Sequence, residues 1–444
     1  MPIPSIGSHS LVVFLCQLSV LLAAALCLGR LAVRLGAPTL VGELCAGVVL
    51  GPSLLGWAAP GVSHWLLPRD ANQFHLLDAA GELGVVLLVG ISGAHIDLDA
   101  VRRQGRTAAL YGAGGLVVPL LAGFGTGFLV PASLAGAHAP DRRVFALFIG
   151  IALSASAIPV IAKALLEMGL MHRDVGQLIM AASALDDVCA WMGLSLVSAM
   201  ATTGLHGWAT VRDVAWLVGI IVAAPLLRPV VRWVLRRAAG AGDPHVTPAA
   251  ITVLVFAGSA ATQALGFEAI LGAFAVGLVI GSCPEFEPAG MAPLQNITVA
   301  VLAPLFFATA GLRMDLTGLR HPAVLGAGAL IVAVAVVAKV TGAGLGAWLG
   351  RRPRWEALAV GAGLNCRGVV EVVIAMVGLR TGVLSTAGYT VIVLVAIVTS
   401  VMAPPTLRLA VSRLPRSARE ADRERRWDGL VGAAASSGKG EQPV

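Results

Sequence analysis

Charge is what this chain has least of. Only 12% of its 444 residues are Asp, Glu, Lys or Arg, 5% are aromatic and 2 are tyrosine, while 57% are hydrophobic. Soluble domains carry roughly 25% charged residues, so a water-soluble enzyme or binding module is excluded. Cysteine offers no framework either. The six cysteines (Cys16, Cys27, Cys45, Cys189, Cys283, Cys366) fall singly in or beside apolar runs, without the paired spacing of a metal site or disulfide scaffold, and read as packing residues. A nucleophile elbow, a phosphate loop and a metal-ligand set are missing too, which argues against a membrane enzyme.

What remains is apolar sequence in long pieces, with a mean hydropathy of +0.86. Stretches able to cross a hydrocarbon core, about 20 residues each, recur from Leu11 to Leu409, and roughly thirteen can be counted. The pattern predicts an all-α polytopic membrane protein with about 13 transmembrane helices. The first run, Leu11 to Leu28, has no basic residue before it and no small-residue cleavage site after it, so it reads as a retained span.

The net charge of +7 would suit an acidic partner such as nucleic acid, but the basic residues sit in alternate loops. That is a topology signal. With the N-terminus outside, Arg30, Arg34, "VRRQGR", Arg173, "RPVVRWVLRR" and "RRPR" fall on the cytoplasmic side, about thirteen Lys/Arg against about seven opposite. Residues 1–411 are expected to form the membrane domain. Residues 412–444 are expected to be a short, charged, disordered cytoplasmic tail.

Internal comparison adds an architecture. "LVGELCAGVVLGPSLLG" superposes on "AILGAFAVGLVIGSCPE", placing Gly42, Gly47 and Gly51 on Gly272, Gly277 and Gly281, and "GAHIDL" (Gly93 to Leu98) resembles "GLRMDL" (Gly311 to Leu316). These are the second and third spans against the ninth and tenth. A shift of seven spans reverses the crossing direction, so the halves are predicted to be inverted repeats, about 10–204 and 247–411, joined by a linker helix near 210–237. Secondary transporters are built this way, with the site where broken helices cross at the midplane.

Breaks occur at corresponding places. "LSASAIPVIAKALLEMG" carries Ser154, Ser156, Pro159 and Lys163 in the fifth span, and "LNCRGVVEVVIA" carries Asn365, Arg367, Gly368 and Glu371 in the twelfth. Proline removes a backbone donor and glycine loosens a helix. A proline kink with hydroxyls bonded back to their own helix is the simpler alternative for Ser154 and Ser156.

The costliest residues are Asp186 and Asp187 in "ASALDDVCAW". A carboxylate at the bilayer centre costs at least about 2.5 kcal/mol. Neighbours on a helix point about 100° apart, so these two cannot close into the facing dyad of an aspartyl protease. Carboxylate oxygens suit a hard monovalent cation. Burial also makes carboxylates hold protons more tightly, so cation and proton compete for one site. The plainer alternative is a structural ion pair or a helix cap. Lys339, alone in "VVAKVTGAGLG", is the expected charge partner of one of the two aspartates, which one being open. Arg367 and Glu371, four residues apart, read as a structural pair. Glu43 and Glu268 are expected near the interface and His95 at a span end.

These residues resemble a known family. "PTLVGELCAGVVLGPSLLG", "PLFFATAGLRMDL", "SASAIPVIAKALLEMG...GQLIMAASALDDVCAW" and "GLNCRGVVEVVIAMVGL" are similar to the sodium/proton exchanger domain of the monovalent cation:proton antiporter-2 family, especially to plant cation/proton exchangers and their bacterial relatives. The likeness covers roughly Leu11 to Leu409. It implies crossed broken helices and a homodimer with a dimerisation domain and a mobile core domain, working as an elevator, in a bacterial plasma membrane. It also implies that Asp187 binds the cation or proton with Asp186 beside it, and that Lys339 pairs with this site. Ser154 and Ser156 would supply oxygens, with Arg367 and Glu371 the polar pair of the second broken helix.

Plant exchangers commonly place Asn before the essential Asp, whereas this chain has Asp186, as in the electrogenic sodium/proton branch. The nucleotide-binding domain of the potassium-efflux members is not seen in this sequence. The function expected is therefore electrogenic antiport of Na+ or K+ against protons, with no catalytic residue and no cofactor beyond the transported ions. The alternatives are an electroneutral K+/H+ exchanger and a gated cation channel, for which no filter-like segment is visible.

Overall fold

A computed structural model describes residues 7–415 and 420, apart from 68–70, 97, 137–140, 172 and 204–206. The rest of the expected tail lies outside the described residues. Among the described residues there are helices and turns but no strand, and ten helices are long and apolar enough to cross a membrane. The bent pair Arg354–Leu364 and Val369–Arg380 makes an eleventh. The short apolar helix Ala269–Gly281 and the long helix Gly207–Ala239 fill the two remaining places of the expected series.

In chain order the spans are α1 (Ser8–Arg34), α2 (Thr39–Leu50), α3 (Ala71–Ala94), α4 (Leu98–Leu129), the broken α5a (Arg142–Ser154) and α5b (Ile158–Glu167), α6 (Asp174–Thr203) and α7 (Gly207–Ala239). Then follow α8 (Val246–Ala264), α9 (Ala269–Gly281), α10 (Pro288–Leu312), α11 (Pro322–Leu349), the broken α12a (Arg354–Leu364) and α12b (Val369–Arg380), and α13 (Thr386–Val411). The starts obey local chemistry. Pro159 is the second residue of α5b, where a missing N–H leaves no bond unmade. The Ser385 hydroxyl accepts from the Gly388 amide at 3.1 Å and caps α13.

The inverted repeat is visible in packing. α2 and α9 are matched in length at 12 and 13 residues, too short to span about 30 Å of hydrocarbon alone. α2 packs on α10 and α9 on α3. The closest approaches are at Gly47, against the backbone of Ala308 and Gly311, and at Gly277, against that of Gly90 and Ala94. A β-carbon at either glycine would collide with backbone, so the glycine spacing found in the sequence is the imprint of these crossings.

Two bundles result. α4, α5, α6, α11, α12 and α13 pack on one another, as do α1, α2, α3, α8, α9 and α10 with α7 alongside, while contacts between the groups are sparse. One link is Trp191 of α6 against Phe274 of α9, ring centroids 6.2 Å apart. Arg173, the "RRPR" stretch and the turn after Arg34, three of the basic segments expected on one side, share a face with the start of the tail. Arg173 reaches the carbonyls of Leu414 and Pro415 and pairs with Glu420 at 3.1 Å. Arg413 lies 5.2 Å over Trp355 beside "RRPR", and Arg408 lines a cavity with Gly36 and Pro38. This is called the tail face below, and its opposite the far face.

Candidate functional site

α5a ends at Ser154 because the backbone turns extended at Ala155 (φ −62°, ψ 144°), and the second break, which follows Leu364, closes at Gly368 (φ 171°), the residue before α12b. Helix ends leave unsatisfied carbonyls and amides, and here both breaks meet inside the first bundle. The Ala157 amide donates to the Cys366 carbonyl at 3.2 Å, a single backbone bond tying one break to the other.

Three carbonyls at the C-terminal end of α5a receive cationic donors. Arg367 gives Nη1 to Ala152 O at 2.8 Å and Nη2 to Leu153 O at 2.6 Å. Lys339 gives Nζ to Ser154 O at 2.6 Å. A helix C-terminus carries partial negative charge, so two cations there are favourable as well as bonded.

Each cation also has a carboxylate. Lys339 Nζ is 2.7 Å from Asp186 Oδ2, both side chains fully buried, which answers which aspartate the lysine joins. Arg367 Nη1 is 3.2 Å from Glu371 Oε1, the expected structural pair, also buried. Ser156 completes the first cluster, its hydroxyl 2.7 Å from Asp186 Oδ2, 2.8 Å from Leu364 O and 2.9 Å from Lys339 Nζ. With the lysine donating, that hydroxyl has one proton to give to Asp186 or to Leu364.

Asp187 is different. It is 2% exposed, no cation lies within salt-bridge distance among the described residues, and its Oδ1 is without a hydrogen-bond partner. It accepts a hydrogen bond from the amide of Ile158, at the N-terminus of α5b. With three carboxylates and two cations all ionised, the buried cluster sums to one negative charge, and Asp187 is the member left uncompensated. A monovalent cation or a proton balances it.

The site residues expected from sequence are thus brought together, except that the Ser154 hydroxyl turns back to Ile151 O at 2.9 Å. That matches the simpler alternative for this serine. Its contribution is the backbone carbonyl. Asn365, read only as part of a break, is 4% exposed with an unpartnered Oδ1, and the carbonyls of Ala152 and Leu153 were invisible to side-chain reasoning. Among the described residues no group of three His, Cys, Asp or Glu could hold a metal ion.

Three peripheral residues can be placed. Glu268 stands at the head of α9, 6% exposed and held by Ser198 and Arg380. Glu43 lies half-buried one turn into α2. His95 does close α3, its ring 2.9 Å from Ile91 O.

The family model for the transmembrane sodium/hydrogen exchanger matches residues 20–413. Cation/H(+) antiporter 20 of Arabidopsis thaliana is 30% identical over 411 residues, 88% of this chain and 47% of that protein. The chain therefore spans about half the length of such plant relatives. The Na(+)/H(+) antiporter NhaS4 of Synechocystis sp. is 28% identical, covering 90% of this chain and 97% of that one. K(+)/H(+) antiporter 1 of Saccharomyces cerevisiae is 27% identical over 84% of this chain and 43% of that protein. Among solved structures, the sodium proton antiporter MjNhaP1 from Methanocaldococcus jannaschii superposes with a TM-score of 0.63 at 17% identity, covering 90% of this chain and 99% of that one. The chain belongs to the sodium/hydrogen exchanger family, and its fold is that of a sodium/proton antiporter.

Proposed function

We propose that this exchanger-family protein is a secondary active antiporter that moves a monovalent cation, Na+ or K+, against protons. The observation that carries the reading is the contrast inside one buried cluster: Asp186 is held by Lys339 and Ser156, while Asp187 has no cationic partner among the described residues. A charge left alone at that depth is expensive, so Asp187 is expected to travel neutralised, by cation or by proton. Exchange needs no further device, because the bundle carrying an empty, charged site moves poorly.

Asp186 gives Lys339 a carboxylate to release. If cation binding displaces the lysine and the freed amine gives up its proton, Lys339 and Asp187 both titrate for each cation carried and transport is electrogenic; if the pair stays closed, Asp187 alone titrates and exchange is electroneutral. Displacement with loss of that proton is favoured, since Lys339 is fully buried and a buried amine parted from its carboxylate gives up its proton readily. Sparse packing between the bundles supports elevator-type movement of the first against the second in a homodimer, and the shared face of the basic segments supports a cytoplasmic C-terminus.

The test is proton flux in proteoliposomes with an imposed pH gradient, adding Na+, K+, Li+ and Rb+ in turn, with and without valinomycin. Collapse of the gradient by one cation, faster under a favourable membrane potential, is expected. Current without a proton gradient would replace the carrier with a channel, and potential-independent flux would make the exchange electroneutral. Proton competition adds a second reading: at lower pH more cation is needed, the apparent KM rising by about tenfold per unit for each competing proton where protonation dominates.

A further inference from the structure

Away from the buried cluster, a second set of charged side chains joins the two bundles at the far face. Arg380 is the last residue of α12b in the first bundle. Its Nη2 lies 2.5 Å from Glu268 Oε2 and its Nη1 2.9 Å from Glu82 Oε1, so one guanidinium spans two carboxylates of the second bundle, at the head of α9 and on α3. Glu268 is engaged twice by the first bundle. Its other oxygen accepts from Ser198 Oγ of α6 at 2.6 Å, on the helix that carries Asp186 and Asp187.

The exposure of the partners differs in a telling way. Arg380 and Glu82 are about half open, with side chains 48% and 42% exposed, whereas the Glu268 side chain is 8% exposed. An exposed ion pair contributes little. A nearly buried carboxylate that loses its cation is costly. The contact with Glu268 is therefore the one that holds, and Glu82 adds reach.

The repeat gives this contact a counterpart. Glycine matching aligns the start of α9 with the start of α2, and the same shift of seven spans sets α12b against α5b. On the tail face, Lys163 of α5b donates to Thr39 Oγ1, the first residue of α2, at 2.9 Å. A cavity of about 120 Å³, lined by Pro38, Val160, Lys163, Ala164, Pro404 and Arg408, lies beside that contact. Each face thus has a basic residue from a second half-helix resting on the head of a short helix of the other bundle.

We propose that Arg380 and Glu268 are positioning residues of the exchange cycle, a charged clasp that keeps the far face closed and parts each time the site opens there. The inference rests on the antiport reading, in which one bundle moves against the other. When the clasp parts, Glu82 and Glu268 are left as two carboxylates at the mouth, where they raise the local cation concentration.

The experiment uses the full chain in proteoliposomes, with the six native cysteines replaced and Arg380→Cys and Glu268→Cys introduced together. A short bis-maleimide joining the two positions is expected to stop exchange, while the same reagent on either single variant leaves its rate unchanged. Undiminished exchange by the cross-linked protein would overturn the clasp alone. No exchange by the unsubstituted chain would overturn the antiport reading, and with it the cycle in which the clasp opens.

Arg380→Gln supplies a readout that loss of folded protein does not move. Weakening one closed face shifts the population toward the other arrangement, so the apparent KM for cation should fall about two- to fivefold from the far face and rise from the tail face. Two KM values that stay put or move together would overturn the proposal.

Discussion

The two broken helices share one plan and carry opposite burdens. In the second, the charge at the head of α12b is settled by the break's own residue, Glu371 pairing with Arg367 four residues before it, and Ser400 Oγ donates to the Arg367 carbonyl. In the first, the carbonyl end of α5a is settled by Lys339 and Arg367 from elsewhere, while the amide end of α5b faces Asp187, which has no cation of its own. Symmetric backbone therefore serves asymmetric chemistry. One crossing is made rigid by its own pair, and that rigidity lets the other present an uncompensated charge without collapsing around it.

The largest effects should come from exchanging these burdens. Asp187→Asn removes the unpaired charge and is expected to abolish cation-dependent proton flux, while thermal unfolding in detergent stays at or above that of the parent, because a buried unpaired charge costs stability. Normal flux from Asp187→Asn would make this carboxylate structural and reverse the comparison. Arg367→Gln should do the opposite. It leaves Glu371 buried without its cation and takes a donor from two helix-end carbonyls, a loss of about 3–5 kcal/mol for a broken buried pair. Little folded protein is expected, and Arg367→Gln with Glu371→Gln should recover part of it. A stable Arg367→Gln that fails to exchange would move Arg367 from scaffold to site.

Much of this was legible in residues whose presence in hydrocarbon demands a reason. Asp186, Asp187, Lys339, Arg367 and Glu371 stood out by cost alone, and Gly47 and Gly277 stood out by spacing because close backbone crossings leave no room for a β-carbon. What sequence could not decide was direction. Neighbouring aspartates differ by about 100° on the helix, so the choice of Asp186 by Lys339 depends on where α11 passes α6. What hydropathy could not show for Glu268, at the head of α9, was its partners, Ser198 of α6 and Arg380 of α12b. Backbone acceptors leave no trace in side-chain identity at all.

The two serines of the first break give the smaller effects and the finer test. Ser156→Ala takes a hydroxyl from Asp186, a hydrogen bond to a charged group worth about 1.5–3 kcal/mol. It should raise the apparent KM for the cation severalfold in the flux assay, since Lys339 then leans on Asp186 with one acceptor fewer. Unchanged KM would remove Ser156 from the site.

Ser154→Ala should change least, although the residue lies as close to the charged cluster. Its hydroxyl is bound within its own helix, to Ile151 O at 2.9 Å, and the oxygen that meets Lys339 at 2.6 Å is the backbone carbonyl, which alanine keeps. A hydroxyl bonded back in this way contributes at most about 1 kcal/mol, and alanine is the better helix former at the end of α5a. Near-parental flux and cation KM are therefore expected. A large loss on Ser154→Ala would mean that the hydroxyl swings from Ile151 to the cargo during exchange, so that the first break supplies a side-chain ligand as well as a backbone one and is the less rigid of the two crossings in motion as well as in charge.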